Sequence, residues 1–499
     1  MHHVLSIDDL HLPARLSGEP RPVDGGYLLP PGDVALLHPF GDAEFYRHGW
    51  NSWSPTGWRR LSDEPLRIYS GPERRLTADD AANDNPARHR GSGVGALAAD
   101  GRALLLGALG TGTPIVEADR FALTGWAEDP SAPWFLAYGD ELEVFSRYAE
   151  QLAAALGRRA GRAPRVWSTW YSFYEDIDAA AVRQAVEEVA PYPLDVFQVD
   201  DGWERTVGDW TPNVRFPDGM AAVADDIHGH DLRAGLWLSP LIAMPDSEVA
   251  RDHPDWLLRD AAGAPLVAGY NWGTAYHALD TTRTDVRDHL RRTIERVVGW
   301  GFDYLKLDFM YAGALRGVRS VDQPREEAYR DALHLIREAA GDDVYLLGSG
   351  VPVLASLGIL DGMRVGPDVA PYWDNTERDR DPSGAAAYNA LVCSVHRAWL
   401  GSVVNTDPDA VYFRSRQNLL DAPARAALVD LAIALGFRST SDRISALDAS
   451  ERAAMTEFFR SECRVAQVGR HRFRLGEREV DFAEWVNPGG RVTDRLLMK

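Results

Sequence analysis

The stretch Asp303-Tyr304-Leu305-Lys306-Leu307-Asp308-Phe309 decides how this chain reads. It has the length and apolar content of a buried strand, and a strand's period of two puts Lys306 and Asp308 on one face. Charges on a buried face are costly unless they meet partners, so this face points to an enclosed polar site. A structural Lys-Asp pair is the plainer explanation of the same pattern. Against it stands the composition: nearly all of the 53 basic residues are arginine, and Lys306 and Lys499 are the only lysines. Arginine serves a general salt bridge at least as well, so an interior lysine here implies a specific ammonium role.

Working outward, similar short β-rich runs recur at 165–171, 195–200, 233–239, 303–308, 344–349, 362–365, 402–405 and 436–440. Segments with helical character lie between them, at 179–190, 285–300, 325–339 and 422–435. Eight β/α units predict a (β/α)8 TIM barrel, and no G-x-G-x-x-G turn follows any of the strands to suggest an open nucleotide-binding sheet. Residues 1–162 carry short apolar runs separated by Gly, Pro and Asp, which predicts an N-terminal antiparallel β-sandwich. Within it, 71–95 reads as a long polar loop. The Arg/Gly-rich 157–164 reads as a linker, 163–462 as the barrel domain, and 463–499 as a small C-terminal β domain with strands at 464–468, 472–475 and 478–482.

Composition narrows the function. A formal net charge of -21 argues against sequence-independent nucleic-acid binding, and a neutral substrate such as an oligosaccharide suits it better. Cys393 and Cys463 form no metal-binding spacing and no disulfide framework, the N-terminus offers no signal peptide, and no run is long and apolar enough for a membrane. A cytoplasmic enzyme is expected, with homo-oligomerisation left open.

The active site of such a barrel lies at the C-terminal ends of its strands, where polar residues close the apolar runs. Strand two ends in Asp200-Asp201-Gly202-Trp203, strand four in Lys306-Leu307-Asp308, and strand six in Arg364-Val365-Gly366-Pro367-Asp368. Two carboxylates across a barrel mouth are what glycoside cleavage requires, one as nucleophile or base and the other as proton donor. Lys306 would keep Asp308 ionised, while Asp368 would need less charged surroundings to hold a proton. Trp167, Trp170, Tyr171, Trp203, Trp210, Trp237, Tyr372 and Trp373 fall at or just after strand ends, where sugar faces could stack; any single one is more often core packing, and only as a set do they favour a carbohydrate cleft.

These spaced motifs together resemble the α-galactosidases of the melibiase superfamily, retaining glycoside hydrolases. The resemblance covers 165–442, with an echo in His48-Gly49-Trp50-Asn51-Ser52-Trp53-Ser54-Pro55. It implies Asp308 as nucleophile, Asp368 as acid/base, Asp200 and Asp201 as ligands of the terminal galactose, and Lys306 and Arg364 as donors to sugar hydroxyls. Trp53, Trp170, Trp203 and Trp237 are the aromatic candidates for the sugar pocket. Neither metal nor organic cofactor is implied. Ser239 stands where many relatives carry glutamate, and Gly348-Ser349-Gly350 replaces a Cys/Gly-rich loop. Trp50 and Trp53 would either cap the pocket or pack a domain interface, and 405–409 reads as support for strand seven, with calcium binding there disfavoured. Alternatives are galactosyl transfer, cleavage of an α-N-acetylgalactosaminide, and a sugar-binding barrel without catalysis.

Overall fold

The computed structural model describes residues 1–66, 85, 87–375 and 383–487. Among these, residues 2–140 form a six-stranded and a seven-stranded sheet, every pairing antiparallel. Leu5, Leu12, Leu36 and Leu123 of one sheet share a core with Phe45, Leu97, Leu104, Leu106 and Leu136 of the other. The strand Arg102–Ala108 is buried on both faces. Leu104 and Leu106 face that sandwich core, while Ala103 and Leu105 join the larger core shared with the barrel. Its unbroken apolar run follows from that double burial.

Two expectations for this region are corrected. The helix Glu141–Leu156 ends what was read as all β; Asp140 caps it, accepting from the amides of Leu142 and Glu143, and Val144, Phe145, Tyr148 and Leu152 bury one stripe. Of the loop expected at 71–95, residues 71–84 and 86 lie outside the described residues, and the remainder includes the strands His89–Ser92 and Val94–Ala99. The linker at 157–164 has no regular structure but is pinned, Arg159 donating to Asp361 at 2.8 Å.

The barrel strands are Arg165–Ser168, Val196–Val199, Arg233–Leu238, Tyr304–Leu307, Tyr345–Gly348, Gly362–Arg364, Asn405–Asp407 and Arg438–Thr440. Their ladders are parallel and run in the order 7-6-5-4-3-2-1-8. Strands seven and eight meet through one parallel bridge, Val411 to Thr440. Strand one is shorter than expected because Trp170–Phe173 turns into a helix, and strand seven begins only at Asn405 because Ala398–Ser402 is a 3-10 helix. The four expected helices are present within one residue at each end.

Alternation holds inside the barrel. Val166, Val196, Tyr304, Tyr345, Leu347 and Phe437 form the inner core, while Leu305 and Leu307 face the surrounding helices. Tyr304 and Tyr345 stack at 5.2 Å, and glycine at 362 makes room for them: a Cβ there would lie 2.5 Å from the Tyr345 hydroxyl. The same alternation turns Trp167 outward against Phe197, which removes it from the sugar candidates. Between strands three and four the chain inserts a three-stranded antiparallel sheet, Ile242–Ala243, Val267–Asn271 and Thr274–Ala278, that the sequence reading did not anticipate. A further antiparallel sheet, Val465–Gly469, Arg472–Leu475 and Arg478–Asp481, follows the barrel as expected.

The His48–Pro55 segment docks onto the barrel. Arg397, fully buried, donates to the carbonyls of Gly49, Asn51, Ser52 and Val365. Ser52 and Val353 add backbone bonds across the same contact, to Val351 and Trp50.

Candidate active site

Strands two, four, six and seven deliver one connected cluster of charges to the C-terminal end of the barrel. Asp308 closes strand four; its Oδ2 accepts from the Trp237 indole at 3.0 Å and its Oδ1 from the Phe309 amide at 3.0 Å. The Ser349 hydroxyl faces the same carboxyl and also accepts from the Trp53 indole at 3.2 Å, so the N-terminal segment is linked to Asp308 through one serine. Burial pushes the Asp308 carboxyl up; Lys306 opposes it and Asp368 adds to it.

Lys306 bonds Asp200 rather than Asp308, with Nζ 2.8 Å from Oδ2. Its effect on Asp308 has the expected sign, favouring the ionised form, but burial outweighs it. Burial also works against the ammonium itself, yet Asp200 leads the carboxylates that raise its pKa. Asp200 further accepts from Gln198 and from the Asp201 amide.

Asp201 is 4% exposed and accepts from the Trp272 indole at 2.8 Å. Burial and the adjacent Glu204 push its carboxyl well up, and Glu204 is raised by the same burial, so the two acids compete for one negative charge. Trp272 sits at the tip of the inserted hairpin, where Trp272 and Gly273 both take positive φ (50° and 76°) between the paired Asn271 and Thr274. Two such residues make the turn suited to a two-residue hairpin, and a tryptophan in the first position is held there at some cost. Its ring lies 5.4 Å from Phe309 and 6.3 Å from Trp237.

Across the mouth, Arg364 is 4% exposed and divides its guanidinium among three carboxylates: Nη1 to Asp368 at 2.8 Å, Nη2 to Asp409 at 2.9 Å, Nε to Asp407 at 3.3 Å. This corrects one expectation. Asp368 is ion-paired rather than in less charged surroundings; burial still pushes its carboxyl up, against Arg364. Crowded by protein on most sides, its side chain keeps 44% of its surface open to the cleft. Arg364, expected to reach a sugar hydroxyl, is held by the three acids, which take three of its five N–H donors. The cation facing Asp407 and Asp409 is therefore this arginine.

The aromatic candidates separate by exposure. Trp203 is 0% exposed, with its indole on the Trp237 carbonyl, and Trp237 is 2% exposed with its indole on Asp308. Neither offers a free face to a ligand, because both belong to a packed cluster with Trp210. Trp50 packs the interface, bonded to Glu326 and under Arg325. Trp53 is buried at that interface too, but edge-on to Phe309, beside Asp308. Trp170, Trp272, Phe309, Tyr372 and Trp373 are half-buried, Trp373 packing on Tyr388 and Trp485, and Tyr174 is exposed. Glu204, Trp272, Ser349 and Asp409 were not among the expected site residues.

Comparison with known proteins fits this geometry. The Melibiase family profile matches residues 142–337, which takes in Asp200, Asp201, Lys306 and Asp308. α-Galactosidase 2 of Pediococcus pentosaceus is 30% identical over 154 residues, covering 29% of this chain and 21% of that protein; the chain thus matches about a fifth of the length of such relatives. The structure of α-galactosidase AgaA from Geobacillus stearothermophilus shares the fold at 17% identity, with a TM-score of 0.61 over 90% of this chain and 65% of that one. TtGalA, an α-galactosidase from Thermus thermophilus solved with p-nitrophenyl α-D-galactopyranoside, superposes with a TM-score of 0.91. At 44% identity to that enzyme over 97% of this chain and all of the other, the protein belongs to the α-galactosidases of the melibiase superfamily.

Proposed function

We propose that this protein hydrolyses terminal, non-reducing α-galactosyl residues with retention of configuration. Asp308 attacks the anomeric carbon while Asp368 gives its proton to the departing oxygen; Asp368 then takes a proton from the water that releases the sugar. The observation that carries this reading is the division of surroundings between the two acids. Asp308 is 9% exposed with both oxygens held by N–H donors, while Asp368 keeps 44% of its side chain exposed, with one oxygen on Arg364, and so can reach a departing oxygen. Asp200 and Asp201, each bonded to a fixed donor, are the ligands proposed for the sugar hydroxyls, with Lys306 beside them. Residues 1–162, 163–462 and 463–499 are the three units we propose. Cys463 is exposed and Cys393 is buried with its thiol on the Ser54 carbonyl, and neither is in a disulfide, in keeping with the reducing, cytoplasmic setting we propose. Among the described residues no helix is long and apolar enough to cross a membrane.

A panel of p-nitrophenyl glycosides tests the substrate: turnover is expected with the α-galactoside, and turnover confined to the α-N-acetylgalactosaminide or to none of the panel would refute the reading. The pH profile of kcat/KM should be bell-shaped. Activity is lost as pH falls through the pKa of Asp308, which burial raises above its ordinary value near 3.8, and as pH rises through that of Asp368, raised likewise. Trp272→Phe removes the indole donor to Asp201 and keeps most of the ring. It should lower kcat/KM about tenfold, mostly through KM, while thermal unfolding stays close to that of the parent.

A further inference from the structure

Asp409 has no part in the reaction as described, yet its carboxylate accepts four bonds, as many as Asp200. Its Oδ1 meets Arg364 Nη2 at 2.9 Å and the Ala410 amide at 2.7 Å. Its Oδ2 accepts from the Val369 amide at 2.8 Å and from the Tyr171 hydroxyl. Its own backbone, at φ 81°, is fixed by its N–H donating to Asp407 Oδ1 at 2.8 Å. Three of the four partners of the side chain are N–H groups that only donate and the fourth is the Tyr171 hydroxyl; burial raises the Asp409 carboxyl, and the Arg364 guanidinium on its Oδ1 is the strongest influence favouring the ionised form. Val369 is the residue after Asp368, so the same carboxylate anchors the loop that carries the proposed proton donor.

We propose that Asp409 is a positioning residue for acid/base catalysis: it holds the Asp368 loop and draws part of the Arg364 charge to itself, so that Asp368 retains its proton at working pH. The inference rests on Asp368 being the acid/base. The groups facing Asp368 are Arg364 on its own strand, Lys306 and Asp308 from strand four, Asp200 from strand two, Asp409 after strand seven with Asp407 acting through Arg364, and the phenols of Tyr171 and Tyr372. Formal charges of these groups other than Asp368 are two positive, on Lys306 and Arg364, against four negative, on Asp200, Asp308, Asp407 and Asp409. Removing one negative charge from that set favours loss of the Asp368 proton. Asp409 raises the Asp368 pKa, as this geometry requires.

The test is the pH profile of kcat/KM for Asp409→Asn, with Asp409→Glu and Asp368→Ala measured in parallel on a galactoside with a sugar leaving group. Asp409→Asn is expected to move the alkaline limb down by about one pH unit, and Asp409→Glu to restore most of it. An alkaline limb that stays in place while the rate falls by the same factor at every pH overturns the proposal and leaves Asp409 a structural residue. Should Asp409→Asn fail to fold, judged by circular dichroism and thermal unfolding, Asp407→Asn carries the test. It takes charge from the Nε side of Arg364 and should shift the limb in the same direction by less, and an unmoved limb again overturns the proposal. Retained turnover in Asp368→Ala would instead remove the acid/base assignment, and this inference with it. An inactive Asp368→Ala combined with an unmoved limb in Asp409→Asn removes the inference alone.

Discussion

Asp308→Ala is expected to lower turnover of an aryl α-galactoside by about 10⁴-fold or more, because no neighbouring carboxylate is free to replace it. Asp200 is held by Lys306 and Gln198, and Asp201 by the Trp272 indole and its competition with Glu204. Arg364 occupies Asp407 and Asp409 on the far side. Substrate should still bind, since the strand-two acids and Lys306 keep their arrangement, so the loss should appear in kcat rather than KM. Asp308→Asn separates chemistry from packing. An amide of the same shape can accept from the Trp237 indole or the Phe309 amide but cannot form the covalent ester, so its fold should be intact and its turnover equally absent. Activity above about a hundredth of the parent in Asp308→Asn would mean that Asp308 is a structural partner of Trp237 and not the nucleophile.

The second large effect is expected from Asp368→Ala, and its size should depend on the leaving group. A sugar alkoxide leaves only with protonation, so its departure should slow by about 10³- to 10⁴-fold; p-nitrophenolate leaves unaided, and the first step should then suffer little. The second step still lacks its base. With the aryl substrate, a burst of p-nitrophenol followed by slow release is therefore the expected time course in stopped-flow absorbance. Equal losses on both substrates, without a burst, would show that Asp368 acts only through Arg364. The variant should not collapse the site, because Arg364 keeps Asp407 and Asp409 as partners.

How far the sequence alone reached depended on which physical rule governed each residue. The placement of Asp200, Lys306, Asp308, Arg364 and Asp368 at strand ends was legible because a strand alternates with period two and barrel sites lie at one end. Which acid each cation pairs with was not. Lys306 reaches across to strand two and Arg364 across to strand seven, and such contacts depend on neighbouring strand order and register. The tryptophans misled for a related reason. Trp237 stands at a strand end and Trp203 just after one, yet both pack with Trp210 in a buried cluster, where Trp237 holds Asp308 and Trp203 holds the Trp237 carbonyl. Trp272 was hidden in the segment joining strands three and four, where no Asn-Gly or Asp-Gly pair announces the hairpin and Trp272-Gly273 makes the turn. The helix Glu141–Leu156 did carry a signal, the Asp140 cap with Glu141 and Glu143 in its first turn, that the strand-like rhythm before it obscured. Asp409 was read only as support for strand seven; that reading names its place without its consequence for the charge on Asp368.

The most direct test of double displacement through Asp308 is to trap the covalent sugar. Inactivation with a slow-releasing fluorinated α-galactosyl fluoride, followed by protease digestion and mass spectrometry, should place a single hexosyl label on the peptide containing Lys306-Leu307-Asp308, with fragmentation assigning it to Asp308. A label on Asp368, Asp200 or any other carboxylate would contradict the account.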